Sequence, residues 1–202
     1  MKISPLTLLA ALLCAGCATH GADIASYAQS LLNSDFQSKG PATRERLLQR
    51  DAAQTLCSSA GTLDDKAAQE LEAAQLATVR YPQSGQPWLG DWKKGEAIAQ
   101  NGRGMQSSDT VGAVNGGNCY ACHQLSKQEI SFGNIGPSLY QYGKLRGNSE
   151  EILRYTWAKL YNAQAYRACS VMPRFGHQGI LTPEQLRDLM ALLLDPASPV
   201  NQ

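Results

Sequence analysis

Two thiols and an imidazole stand together at Cys119-Tyr120-Ala121-Cys122-His123. Two residues between the cysteines is the spacing that lets one helical turn present both thiols on one side. Each thiol can then add to a vinyl group of haem and form a thioether. The next residue, His123, projects under the ring, where it can bind the iron. The pattern therefore predicts one covalent c-type haem, with Cys119 and Cys122 as its attachment points and His123 as an axial ligand. Two other chemistries use a C-x-x-C. A thioredoxin-like dithiol needs a βαβ context, and strand alternation is nearly absent here. A zinc site would have to recruit His177 and Cys169, because no second C-x-x-C follows residue 17 and the chain holds only three histidines.

The sixth iron position must be filled from elsewhere, and methionine or histidine is usual for electron-transfer haems. Met190 falls on the apolar stripe of a helix and reads as core. Met105 lies in a glycine-rich loop before the motif and is a minor candidate. Met172 precedes Pro173, which restricts it to extended backbone and stiffens its loop. It follows His123 by enough chain to return across the opposite haem face with one helix between. Met172 is the preferred ligand, and His177 and Cys169 are its rivals.

The N-terminus reads as an export signal: Lys2, an apolar run from Leu6 to Leu13, then the small residues Ala15, Gly16 and Ala18. The run is too short to span a bilayer. Leu13-Cys14-Ala15-Gly16-Cys17 looks like a lipoprotein box with Cys17 as the lipidated residue, while ordinary cleavage near Ala18 or Ala22 fits as well. Only lipidation at Cys17 would bring the chain to a membrane. Either route takes it to the periplasm, where disulfides form. After processing, Cys57 and Cys169 remain beside the haem cysteines, an even remainder that most simply makes one disulfide. The alternatives are two buried thiols, or Cys169 as a reactive or iron-binding thiolate. A net charge of +1 provides no bulk basic field for nucleic acid.

The elements that must position these residues are helical. Residues 1–17 are the signal, with its cut between 17 and 22. Residues 23–88 form a helical extension: Asp23 caps a helix with Ile24, Tyr27, Leu31 and Leu32 on one side, a second helix runs from Pro41 to Cys57, and a third from Asp64 to Val79. The prolines and glycines of 81–90 mark a boundary, and residues 89–202 form the second part. That part opens with a helix over Asp91–Asn101. A later helix is capped by Ser149, with Leu153, Trp157, Leu160 and Tyr161 on its apolar face. The last is the best marked: Thr182 as N-cap, Pro183 at N1, a capping box with Gln185 and a staple of Leu181 on Leu186.

Gly116-Gly117-Asn118 before the motif, Asn134-Ile135-Gly136-Pro137-Ser138-Leu139 after it and Met172-Pro173-Arg174-Phe175-Gly176-His177 together resemble the cytochrome X subunit of the sulfur-oxidising complex SoxAX. Gly90-Asp91-Trp92-Lys93-Lys94-Gly95-Glu96, Gly179-Ile180-Leu181-Thr182 and Ala191-Leu192-Leu193-Leu194-Asp195-Pro196 extend the resemblance. It implies an all-α, class I cytochrome c fold, with His123 and Met172 as axial ligands. It implies a heterodimer with a SoxA-type cytochrome subunit. That complex, an L-cysteine S-thiosulfotransferase, joins thiosulfate oxidatively to a cysteine of the SoxYZ carrier and passes electrons to a downstream cytochrome. In that scheme this chain relays electrons and has no catalytic residue of its own. A free-standing periplasmic electron shuttle and a structural or thiol-exchange module are the competing functions. Lys93, Lys94, Arg103, Lys144 and Arg146 can frame a docking surface or be ordinary solvated charge. Arg174, two residues from Met172, is expected to pair with a haem propionate.

Overall fold

The structure is a computed structural model that describes residue 24, residues 26–59 and residues 61–202. The expected signal, Cys17 and the Asp23 cap lie outside the described residues. Among the described residues there is no strand, only an isolated bridge between Lys39 and Ala42. No described helix is long and apolar enough to cross a membrane.

The core is built where apolar periodicity is strongest. Helix α8 (Pro183–Leu194) starts on the capping box read from sequence: the Thr182 hydroxyl accepts from the Gln185 amide, and the Gln185 side chain accepts from the Thr182 amide. Leu181 and Leu186 are both buried, as a staple requires. Helix α5 (Trp92–Gln100), N-capped by Asp91, lies directly on α8. Gly95 makes that approach possible, because a Cβ there would collide with the carbonyl of Asp188. At the crossing the Gly90 amide donates to the Arg187 carbonyl, and the Asp91 amide to the Asp188 carboxylate. Helix α7 (Glu150–Tyr161), N-capped by Ser149, adds Trp157 and Leu160 to the core. The short α6 (Tyr142–Arg146) is tied to the end of α8 by Asn201, whose amide oxygen accepts from Gly143 and Lys144 while its nitrogen donates to the Leu193 and Asp195 carbonyls.

The N-terminal region departs from expectation in two ways. Residues 26–35 are helical (α1), but Tyr27, Leu31 and Leu32 remain exposed, so the apolar stripe covers no core. The single helix expected from Pro41 to Cys57 is two, α2 (Arg44–Leu48) and α3 (Ala52–Cys57). Asp51 forms a capping box with Gln54 and starts α3 afresh, with its own backbone extended. Helix α4 (Asp65–Leu76) is capped by Asp64. Across 81–90, where a boundary was expected, Tyr81, Trp88 and Leu89 pack on the core. Tyr81, Trp88 and Trp157 form an edge-to-face series with centroids 6.2 and 6.1 Å apart. The Trp157 indole donates to the Arg80 carbonyl at 2.8 Å.

Candidate functional site

Helix α5 and the chain after it set the position of the cysteine motif. The Gly117 amide donates to the Ile98 carbonyl and the Asn118 amide to that of Asn101, so the loop is fastened to the end of α5. Gly116 sits against the Asn101 backbone with no room for a side chain. Asn118 adopts left-handed backbone (φ 47°), and the chain then enters a 3-10 turn over Cys119–Ala121. The Cys122 and His123 amides both donate to the Cys119 carbonyl, at 3.1 and 2.9 Å. One turn therefore stacks the two cysteines and His123, as the spacing predicted. Both thiols are half-buried and free. Burial pushes the Cys119 thiol up to about 12, with the Cys122 and Glu96 charges adding to the effect.

His123 is oriented by the loop on its C-terminal side. Its Nδ1 donates to the Pro137 carbonyl at 2.7 Å, which leaves Nε2 with its lone pair free. Gly136 lies flat on the imidazole, since a Cβ there would overlap the ring. The 131–136 loop is pinned beside the motif by the Gly133 amide on the Tyr120 carbonyl and the Gly136 amide on that of Cys122. Two unbonded thiols one turn apart, with an imidazole nitrogen aimed away from its tether, are the donor set that a covalent haem needs. When bound, the haem supplies reversible one-electron iron chemistry. Cys119 and Cys122 are the residues that would hold the ring, and the Pro137 carbonyl would keep His123 in the tautomer that offers Nε2.

Tyr120, a mere spacer in the sequence pattern, proves structural. It is buried, and its hydroxyl donates to Glu96 on α5 at 2.9 Å and contacts the Ser126 hydroxyl at 3.2 Å. Burial and the neighbouring Glu96 charge raise it to about 12. Its role could have been suspected from the large aromatic between two cysteines, but its partner could not.

Among the ligand candidates, Met190 is fully buried in α8, as expected. The Met105 sulfur accepts from the Asn115 amide at 3.3 Å. Cys169 is bonded to Cys57, with their Cα atoms 5.4 Å apart, and is thereby removed as a thiolate ligand. The same bond removes the zinc alternative that needed it. No group of three or more metal-ligating side chains gathers among the described residues. His177 faces a cavity bounded by Ala77, Thr78, Val79 and Tyr161, and its pKa is lowered by burial and by the Arg174 charge. Met172 is half-buried against the same apolar core as Cys119. Arg174 does not match its expected role. Instead of being free for a propionate it is buried, with its guanidinium donating to Asp51 at 2.6 Å and to Gln75 at 3.3 Å. Of the cations expected as a docking frame, Arg146 stacks over Tyr142 and Tyr155.

A helical core around a C-x-x-C-H turn, with its histidine tethered to a Gly-Pro carbonyl, defines a class I cytochrome c domain preceded by a helical extension. The family model for cytochrome c matches residues 93–195. An uncharacterized lipoprotein of Aquifex aeolicus (strain VF5) is 37% identical over 172 residues, covering 82% of this chain and 80% of that protein. The chain belongs to the cytochrome c family; it carries covalently bound haem c and transfers electrons.

Proposed function

We propose that this chain is the electron-relay subunit of a SoxAX-type complex. It takes electrons from the oxidative joining of thiosulfate to a carrier cysteine and passes them to a downstream cytochrome. The observation that carries the relay reading is the His123–Pro137 hydrogen bond, which leaves Nε2 available to one face of a haem iron, so that one other axial position would remain to be closed. With Met172 in that position, the iron has no open site for substrate, and electrons pass through the haem edge. The sulfur chemistry rests on the sequence resemblance. A docking role is supported by the loop fastened to the motif, where Ile130, Phe132 and Ile135 are exposed rather than buried.

Purified ferric protein should stay oxidised with thiosulfate alone. It should be reduced once the SoxA-type subunit and the carrier are added. Rapid reduction by thiosulfate alone would sink the relay reading, and indifference to both added proteins would favour a free-standing shuttle. The reading includes export to the periplasm with Cys17 as a lipid anchor, in keeping with the lipoprotein name of the Aquifex relative. Intact mass of the chain from its native host would show a diacylated Cys17 or a cut near Ala18 or Ala22.

A further inference from the structure

Among the described residues, the side-chain hydrogen bonds, ion pair and disulfide that tie residues 168–174, the Met172 loop, to other elements all run to the N-terminal region. Three residues before Met172, Cys169 is bonded to Cys57 at the end of α3. Next to it, the Ala168 amide donates to the Glu72 carboxylate on α4 at 2.8 Å. Two residues after Met172, Arg174 pairs with Asp51, the N-cap of α3, at 2.6 Å, and reaches Gln75 on α4 at 3.3 Å. The Arg174 side chain is 6% exposed, so this pair is not ordinary surface charge. Cys169 itself holds a left-handed backbone (φ 55°), a conformation that persists in a non-glycine residue only where the surroundings enforce it. Between the two anchors, Met172 has one side-chain bond, from its amide to Ser170.

We infer that the N-terminal extension is a clamp for the sixth iron ligand, with Asp51 and Cys57 acting as positioning residues through Arg174 and Cys169. The inference rests on the reading of Met172 as that ligand. A loop fixed at both ends has few conformations in which the methionine is away from the iron. Releasing either end raises the open fraction, and an added ligand then binds with an apparent affinity that rises in proportion.

The test uses mature ferric holoprotein as wild type, Met172→Ala, Asp51→Asn and Asp51→Glu. A fourth sample is wild type whose Cys57–Cys169 bond has been reduced by a dithiol, which becomes a cyclic disulfide as the two thiols form. Those thiols are then alkylated and the iron reoxidised with ferricyanide. This sample folds and acquires haem before the clamp is opened, so failure of a variant to mature leaves the test intact. The methionine–iron charge-transfer band and imidazole affinity are read beside the melting temperature.

Asp51→Asn and the reduced sample should lose much of the band and bind imidazole about tenfold more tightly, with Asp51→Glu restoring both. A lower melting temperature with band and imidazole affinity unchanged would overturn the clamp and leave Met172 as ligand. A band absent from wild type, or untouched in Met172→Ala, would overturn the ligand assignment itself and the clamp with it.

Discussion

Helices α4 and α8 have twelve residues each and are held in place by different means. In α8, Leu186 and Asp188 through Leu194 are buried; in α4, only Leu71 is. The last helix stays because apolar area leaves water, a non-directional force spread over many atoms. The α4 helix stays through named bonds. Gln75 accepts from Asn162 at 2.9 Å as well as from Arg174, Glu72 accepts from Ala168, and the neighbouring α3 is bonded covalently to Cys169. Distributed burial tolerates small shifts, whereas point bonds fix where particular atoms sit. The molecule uses the first to build a haem scaffold and the second to hold one loop.

The contrast can be broken most directly at the disulfide. The Cys57→Ser/Cys169→Ser pair opens a link between residues 112 apart. A loop of that size should cost about 4 to 5 kcal/mol of stability, read as a fall in the denaturant midpoint. A loss below about 1 kcal/mol would mean that the extension is held by burial after all. Next in size, Leu189→Ala, at 2% exposure, should cost about 2–5 kcal/mol, while Leu76→Ala in α4, at 36%, should cost well under half as much. Equal costs would erase the distinction between the helices.

The Asp51–Arg174 pair gives the contrast a pH dependence. Burial pushes the Asp51 carboxyl up, but its hydrogen bond from Gln54 and the Arg174 guanidinium outweigh this and hold it below its ordinary value. A depressed carboxylate contributes stability that is present above the unfolded value and is lost as pH falls through the folded one. His177 is the other titratable group facing Asp51, and the two interact. Wild type should exceed Asp51→Asn in melting temperature at neutral pH, and the two curves should converge below about pH 4. Parallel curves would remove Asp51 as the source. The smallest effects separate cap from surface charge. Thr182→Ala should cost about 1 kcal/mol in thermal unfolding. Lys66→Ala, whose ion pair with Glu70 is exposed on both sides, should change stability by no more than a few tenths of a kcal/mol.

Local features were legible in the sequence, and long-range ones were not. The C-x-x-C-H turn, the Ser149 and Thr182 caps and the Leu181–Leu186 staple are all written within a few residues, where spacing alone fixes geometry. Counting offered the Cys57–Cys169 bond as the simplest use of two remaining thiols and left two free thiols or a Cys169 thiolate open; the structure forms the bond. The break between α2 and α3 was present as Asp51 followed by Gln54, but it was hidden by apolar periodicity running through it. The Asp51 partner of Arg174 lies 123 residues away, and no spacing rule reaches that far. Tyr120 escaped notice for the same reason: its meaning depends on Glu96, which another element brings alongside. The aromatic packing of Tyr81 and Trp88 was masked by prolines and glycines that elsewhere mark a linker.

The bond from Cys57 to Cys169 has a consequence in time as well as in space. It closes a covalent ring, and Cys119 and Cys122 lie inside that ring. On the proposed reading of export, a chain delivered N-terminus first presents Cys57, then both motif thiols, and only last the partner that Cys57 finally takes. Correct maturation therefore depends on order. If the motif thiols are committed to thioethers before oxidation, Cys57 has a single thiol left to find. If oxidation comes first, a mispaired Cys57 must be reshuffled before the haem can be attached. Cells that load haem slowly should accumulate mislinked, colourless chains.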